Sequence, residues 1–196
     1  VGGNLRAILT EEEGKTIQYW DLKTQEIIGT IDITAEETNV PLFGNEAEGC
    51  VIDDENEHII ISREGMRGIL NAYDANTLGF IKVIDSRSGN IGGDPEGVTI
   101  YKTSDKEGFI IVSSQGDSKF NLYNRQFPFD YVKSFTVNDV SDTDGIDVTN
   151  KAIDDLYTQG FLVVQDGYNS PDNQNFKIVD MEQVLKKKVK NPGSTD

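Results

Sequence analysis

An acidic residue followed by glycine recurs three times in this chain, and successive copies lie 48 residues apart. The pairs are Glu48-Gly49, Glu96-Gly97 and Asp144-Gly145. If a repeated fold places these acids at equivalent positions, their carboxylates meet in one region, where like charges are unfavourable unless a cation or a proton compensates them. Calcium suits such a region, because it accepts about six to eight oxygen ligands in loose geometry. The pattern leaves one alternative open, in which the acid caps a turn and the glycine supplies an unusual backbone dihedral.

A polar triplet that ends in glycine forms a second repeated signature, with glycines 51 residues apart. Its copies are Glu11-Glu12-Glu13-Gly14, Ser62-Arg63-Glu64-Gly65, Ser113-Ser114-Gln115-Gly116 and Val164-Gln165-Asp166-Gly167. Each triplet follows an apolar, strand-like segment, so Glu64 and its counterparts Glu13, Gln115 and Asp166 are candidates for further oxygen ligands. Asp166 and Asn169 also share one turn-like segment, which either holds a separate structural ion or is a hydrogen-bonded turn.

The composition of the chain, and the few cysteine and histidine residues in it, limit the reactions that it can catalyse. The 196 residues contain 34 acidic and 18 basic side chains, and the formal net charge of −16 repels nucleic acid and anionic membranes but suits divalent cations. The only cysteine, Cys50, excludes an internal disulfide and lacks the following arginine of a cysteine phosphatase. The only histidine, His58, is predicted at an exposed strand edge, and one histidine does not supply a dinuclear zinc or iron site. Phosphate chemistry in this chain would have to rest on carboxylates and a hard metal.

The elements that must position these acids also repeat. A third signature closes each copy, and it reads Tyr19-Trp20-Asp21, Ala72-Tyr73-Asp74, Leu122-Tyr123-Asn124 and Ile178-Val179-Asp180. A β-rich stretch follows the first three, at Ile27–Ile33, Phe80–Ile84 and Tyr131–Val137. Four short strands in a unit of about 50 residues predict an all-β fold, a β-propeller of four-stranded blades. A β-sandwich is the competing architecture, but it does not require three signatures to recur together about every 50 residues.

The repeat count bears on domain organisation. Four copies are present, the first without its opening strand, so we expect residues 1–196 to form one β-propeller domain that lacks its N-terminal blades. An unusual four-bladed ring is the alternative. The first strand of each blade lines the channel of a propeller, so alternate residues such as Cys50 and Ile52 should pack between blades. One helix is predicted, at Met181–Lys190, and its lysines Lys186, Lys187, Lys188 and Lys190 indicate a solvated face.

Several longer motifs lie between about Gly44 and Val184. They are Ala47–Asp54, Asp94–Tyr101, Ser113–Gly116, Ser141–Val148, Val164–Gly167 and Asn173–Lys177. In order and in spacing, these motifs resemble the C-terminal part of the β-propeller phytases. The resemblance implies a six-bladed propeller that hydrolyses the phosphomonoesters of phytate, myo-inositol hexakisphosphate, with calcium as cofactor. It further implies that calcium bridges protein carboxylates and substrate phosphates and that a calcium-bound water attacks phosphorus. A secreted, monomeric enzyme acting on the calcium salt of phytate is expected, with no nucleic acid or membrane partner.

The resemblance also implies roles for individual residues. Glu48, Glu64, Glu96 and Asp144 correspond to the active-site calcium ligands and water-positioning acids, and Asp166 and Asn169 to a structural calcium site. The family has a pair of acids where this chain has Arg63-Glu64, so Arg63 either weakens one ion or contacts a phosphate. Asn138 replaces a further family acid, and Lys15 is the remaining candidate for binding a substrate phosphate. Two other functions stay open, a calcium-stabilised propeller that only binds a partner and a calcium-dependent lactonase.

Overall fold

The computed structural model describes residues 5–11, 14–35 and 46–186, which form four antiparallel sheets in chain order. The first sheet consists of β1 (Arg6–Leu9), β2 (Thr16–Asp21) and β3 (Glu26–Asp32). The second consists of β4 (Ala47–Asp53), β5 (His58–Arg63), β6 (Ile69–Asp74) and β7 (Phe80–Ser86). The third consists of β8 (Asp94–Lys102), β9 (Gly108–Gln115), β10 (Lys119–Asn124) and β11 (Tyr131–Phe135). The fourth consists of β12 (Ile146–Thr149), β13 (Phe161–Asp166) and β14 (Asn175–Asp180), and α1 (Met181–Lys186) follows it.

The sheets match the repeat. In the second and third sheets each strand pairs with the next one along the chain, which gives two complete four-stranded blades. The first sheet has three strands among the described residues and begins with the strand of the second signature, as predicted. The all-β fold with propeller-type blades is therefore confirmed. That residues 1–196 form a single domain stays a prediction.

The acid of the third signature starts the turn that leads to the outer strand. The carboxylate of Asp74 accepts hydrogen bonds from the backbone N–H groups of Asn76 (2.9 Å) and Thr77 (2.7 Å). Asp21 accepts the equivalent bond from Lys23 at 2.8 Å. These backbone hydrogen bonds lower the pKa of Asp21 and Asp74. An acid recurs at this position because its side chain satisfies backbone donors that the turn leaves unpaired.

The hydrophobic cores lie between neighbouring sheets. One cluster joins the first and second sheets around Ile17 and Ile59, a second joins the second and third around Ile60 and Ile110, and a third joins the third and fourth. The first strands contribute as predicted, at Cys50, Ile52, Val98, Ile100, Ile146 and Val148. Because the burial of each blade depends on its neighbour, the packing orders the blades and brings their first strands together.

The prediction that His58 lies at an exposed strand edge is wrong. The strand β5 runs between β4 and β6, so both of its edges are paired. The half-buried imidazole of His58 packs edge to face against Phe129 of the next blade, with ring centroids 5.0 Å apart. Burial lowers the pKa of His58. This histidine therefore belongs to the packing between two blades.

The C-terminal helix packs onto the last core. Asp180 caps it by accepting a hydrogen bond from the backbone N–H of Glu182 at 2.9 Å, and Met181 and Val184 are buried between the third and fourth sheets. The predicted helix continues to Lys190, and residues 187–190, with their lysines, lie outside the described residues. Among the helices of the described ranges, none has the length and apolar character required to cross a membrane.

Candidate metal centre

The three acid–glycine pairs meet around one pocket. It has a volume of about 310 Å³ and is lined by Glu48, Gly49, Cys50, Glu96, Gly97, Val98, Asp144, Gly145 and Ile146. The first strands β4 and β8 lie side by side, and β12 lies on the other side of β8. The convergence that the repeat predicted for Glu48, Glu96 and Asp144 is therefore present in the structure.

Two of the three glycines in these pairs, Gly49 and Gly97, are required by the close approach of neighbouring blades. A Cβ atom on Gly49 would lie less than 3.0 Å from the carbonyl oxygen of Glu96, and one on Gly97 less than 3.0 Å from that of Asp144. A Cβ on Gly145 would meet nothing within 4 Å. None of the three has a positive φ, so the alternative of an unusual dihedral is wrong. The pairs Glu48-Gly49 and Glu96-Gly97 lie where the pairing register shifts, in β-bulges.

A serine of the second signature ties each blade to the next at this pocket. The hydroxyl of Ser62 donates to the backbone carbonyl of Glu96, and that of Ser113 donates to the carbonyl of Asp144 at 3.0 Å. Both serines are buried. The backbone N–H of Gly97 also donates to the carbonyl of Asp144, at 2.7 Å. The backbones that carry the acids are thus hydrogen-bonded across the blade boundaries.

One group of three acids was only partly predicted. Carboxylate oxygens of Glu46, Glu48 and Glu64 all lie within 4.8 Å of one another. Glu46 was missed, although its carbonyl accepts a hydrogen bond from the backbone N–H of Glu64 at 3.1 Å and so stands opposite it. The sequence signal was the alternation Glu46-Ala47-Glu48, because residues two apart on a strand share one face. A cluster of hard oxygen donors this tight fits a divalent cation.

Glu96 has the most perturbed acidity of the cluster. The residue is 5% exposed, and burial together with the charges of Glu48 and Glu64 raises its pKa to about 8. The carboxyl groups of Glu48 and Glu64 both hydrogen-bond with Glu96, and burial followed by neighbouring acids raises the pKa of each. Asp94, another acid that the sequence analysis missed, adds to the raised pKa of Glu64 and Glu96. A cation bound among these carboxyls would relieve their repulsion.

Two glutamines hold Asp144 in place. Gln115 donates a side-chain hydrogen bond to its carboxylate, and the backbone N–H of Asp144 donates to the side-chain oxygen of Gln165 at 2.8 Å. Both glutamines come from the polar triplets. Gln115 was a candidate ligand by its position, and the structure shows it as a hydrogen-bond partner of an acid.

The comparison with known proteins decides the family. A family model described as Phytase matches residues 2–193. This chain belongs to the phytase family. It is 34% identical over 197 residues to the 3-phytase of Bacillus subtilis (strain 168), an alignment that covers 93% of this chain and 50% of the relative. The chain thus spans about half the length of the curated phytase that it matches. A solved structure titled "Structure of U3-55K" is similar in fold alone, with a TM-score of 0.53 and 10% identity over 86% of this chain and 47% of that one.

The other residues that the phytase resemblance singled out lie in different surroundings. Arg63 is 1% exposed, and its guanidinium donates to the carbonyl of Ile33 in the first sheet at 2.8 Å. This contact links two blades, and direct contact between Arg63 and a phosphate stays a prediction. Lys15 is exposed just before β2. Its role in phosphate binding also stays a prediction, and Glu13 lies outside the described residues.

Asp166 and Asn169, the predicted structural calcium ligands, have protein partners. The buried carboxylate of Asp166 accepts a hydrogen bond from the backbone N–H of Ser141 at 3.2 Å and pairs with the ammonium of Lys177 at 3.4 Å. The side-chain amide of Asn169 donates to the carbonyl of Asn173 at 2.9 Å. These contacts match the hydrogen-bonded turn that was the alternative, and calcium binding by the pair stays a prediction.

Proposed function

We propose that this chain contributes the acidic face of a calcium-dependent phytase, which hydrolyses the phosphomonoester bonds of phytate to lower inositol phosphates. One observation carries the proposal: Glu48, Glu96 and Asp144 line a single pocket in a chain of the phytase family. The substrate is a polyanion, and a protein with a net charge of −16 needs cations to hold it.

The donor set favours calcium among the metals. The carboxylates of Glu46, Glu48, Glu64, Asp94, Glu96 and Asp144 supply hard oxygen atoms. Cys50 also lines the pocket, but burial raises the pKa of its thiol and so disfavours the thiolate that a soft metal binds. His58 lies opposite Asp53, at the other end of the second sheet. When bound, calcium would neutralise phosphate charge and make a water molecule more acidic.

The residues of the chain have separable tasks in this scheme. Glu46, Glu48 and Glu64 would hold the cation, because their oxygen atoms already meet. With a pKa raised to about 8, Glu96 is protonated at neutral pH, and it would release that proton as a cation binds beside it. Asp144 accepts a side-chain hydrogen bond from Gln115, and it would accept a proton from the attacking water.

The proposal is tested on the full-length protein by phosphate release from phytate, with calcium and with a chelator. We expect release that depends on calcium and falls at least about a hundredfold in Glu96→Gln, because general acid–base and metal contacts contribute on that order. Glu57→Gln is the matched control, since Glu57 is exposed in the turn at the other end of the same sheet. No release from folded, calcium-loaded protein would contradict the enzyme and leave a calcium-stabilised binding propeller.

The remaining features rest on the family resemblance. We infer that the enzyme acts as a monomer on the calcium salt of phytate and works outside the cell. Light scattering of the full-length protein tests the monomer, and assay of the culture medium against washed cells tests the location. Activity confined to the cells would contradict secretion.

A further inference from the structure

Two of the motifs that resemble the phytases carry glutamines outside the cluster of acids. These motifs are Val164–Gly167, at the end of β13, and Asn173–Lys177, at the start of β14. The first lies beside the segment Ser141–Gly145, whose Asp144 lines the metal pocket. Asp144 is exposed, so burial in a core does not fix its position. The hydrogen bonds of this segment therefore decide where its carboxylate lies.

The end of β13 is hydrogen-bonded to this segment at both of its ends. The side-chain oxygen of Gln165 accepts the backbone N–H of Asp144 at 2.8 Å. The backbone N–H of Gln165 donates to the carbonyl of Gly145 at 3.0 Å, so one residue holds both members of the acid–glycine pair. At the other end of the segment, the N–H of Gly167 donates to the carbonyl of Ser141 at 2.9 Å. The strand thus brackets the residues that carry the carboxylate.

Gln174 fixes the other end of the Gln165 side chain. A backbone N–H can only donate, so the atom of Gln165 that faces Asp144 is the amide oxygen, and the amide nitrogen is left to donate elsewhere. That nitrogen donates to the side-chain oxygen of Gln174 at 3.1 Å. Gln165 pairs with Phe176 between β13 and β14, which places Gln174 just before β14. The two contacts form a hydrogen-bonded relay from Gln174 through Gln165 to Asp144.

The third sheet holds the other polar groups of Asp144. Its backbone carbonyl accepts hydrogen bonds from the N–H of Gly97 at 2.7 Å and from the hydroxyl of Ser113 at 3.0 Å. Its carboxylate accepts a hydrogen bond from the side chain of Gln115. Its N–H is bonded to Gln165 of the fourth sheet. The relay therefore supplies the contact by which the fourth sheet fixes this acid relative to the third.

We propose that Gln165 and Gln174 are positioning residues, which set the carboxylate of Asp144 at the metal centre without touching the cation or the substrate. The inference rests on the proposed function, because it explains how one acid of the calcium site is held. Hydrogen-bond partners behind a metal site orient its ligands, and their loss weakens metal binding. Gln174 lies one step further from Asp144 than Gln165 does, so its loss should have the smaller effect.

The test measures two quantities on the full-length protein, the calcium dissociation constant by calorimetric titration and the hydrogen-exchange rate of the Asp144 backbone N–H by NMR. Gln165→Met should raise both about tenfold, the effect of losing a partner directly behind a metal site. Gln174→Met should raise both about threefold, because one hydrogen bond of the relay is lost. Gln174 is exposed, so this variant keeps the fold intact.

Two further variants separate positioning from a general structural role. Gln174→Glu keeps an oxygen that accepts from the amide of Gln165, so both quantities should return close to the wild-type values. Gln183→Met is the matched control, because Gln183 is exposed on α1, which follows the opposite end of β14, and the change should alter neither quantity.

The outcomes keep this inference apart from the proposed function. Wild-type values in Gln174→Met overturn the relay, and so does an equal loss in Gln174→Glu or in Gln183→Met. Wild-type protein that binds no calcium also overturns it. Phosphate release is recorded separately, so protein that binds calcium without releasing phosphate contradicts the phytase activity. In that case the ratios of the dissociation constants and of the exchange rates at Asp144 still decide the relay.

Discussion

The two ends of β4 place carboxylates in opposite electrostatic environments. At the first end, Glu48 meets other acids, and burial with that repulsion raises the pKa of Glu96 to about 8. At the last end, the buried carboxylate of Asp53 accepts two hydrogen bonds from Arg125 of the third sheet, one of them 2.6 Å long from Nε. The same guanidinium pairs with Glu55.

At the last end of β4, the acids are paired with basic side chains. Lys102 bonds Glu55 at 2.6 Å, and this bond is the main reason that the pKa of Glu55 is lowered. Burial alone would lower the pKa of Arg125, but its hydrogen bonds to Asp53 and Glu55 leave that pKa raised. At this end each acid has a basic partner within the chain, so these ion pairs stabilise the fold. At the other end the acids repel one another, and a cation from solution would lower that repulsion.

The largest expected effect comes from breaking the ion pair between Arg125 and Asp53 at the last end of β4. Arg125→Ala leaves the buried charge of Asp53 without its partner, and the free energy of unfolding should fall by about 3–5 kcal/mol. Chemical denaturation of the full-length protein measures the loss. Lys106→Gln, an exposed change in a neighbouring turn, should stay within about 0.5 kcal/mol of the wild type. Calcium affinity per folded molecule should not change, and a parallel loss of calcium binding would contradict the separation of the two ends.

The next effect comes from neutralising Glu96 at the first end of β4, and here the change in the free energy of unfolding has the opposite sign. The folded state keeps the proton of Glu96 up to about pH 8, whereas the unfolded chain releases it near the ordinary value of 4.5. The folded state therefore binds more protons between these values, and without calcium this group's contribution to the free energy of unfolding falls as the pH rises. Glu96→Gln should stabilise the calcium-free protein at pH 8 by about 1–3 kcal/mol and weaken stabilisation by calcium, because one neighbouring negative charge is lost.

Thermal melts with a chelator, at pH 5 and pH 8, check this prediction. The difference between Glu96→Gln and wild type should be small at pH 5, where the wild-type side chain is protonated, and larger at pH 8. Glu57→Gln serves as the control, because its exposed side chain should give no pH-dependent difference. A destabilised Glu96→Gln at pH 8 would show that the acidic end is a structural network like that of Arg125.

The sequence predicted most of this fold because propeller blades repeat. Three signatures that recur about every 50 residues predicted the strands, their order and the convergence of Glu48, Glu96 and Asp144, since equivalent positions in a repeat meet at equivalent places. The sequence did not identify Glu46 and Asp94 as members of the acidic cluster, because neither belongs to a recurring motif and each joins the cluster through its strand neighbour. The link from Arg125 to Asp53 was also missed, since these residues are far apart in sequence and only the packing of two blades brings them together.

The glycines at the acidic end permit a sharper comparison. Gly97→Ala places a methyl group less than 3.0 Å from the carbonyl oxygen of Asp144, and the boundary between blades must open. We expect a loss of about 1–3 kcal/mol in unfolding free energy and weaker calcium binding, because overpacking shifts the backbone that carries the acids. Gly145→Ala, where a Cβ meets nothing within 4 Å, is the matched control. Denaturation and calcium titration of both variants give the result, and equal losses would exclude close approach as the cause.

The smallest expected effect concerns the serines that join the blades at the acidic end. Ser113→Ala removes the hydrogen bond to the carbonyl of Asp144 and leaves that carbonyl with the 2.7 Å bond from the backbone N–H of Gly97. The free energy of unfolding should fall by about 1 kcal/mol, the net contribution of a typical internal hydrogen bond. Because this hydrogen bond joins the backbones that carry the acids, the same change should also loosen calcium binding severalfold. Ser134→Ala, which loses a hydroxyl contact to Asn121 within one blade, should cost similar stability without that loss of affinity. Equal calcium affinities in the two variants would mean that the boundary between blades does not set the spacing of the acids.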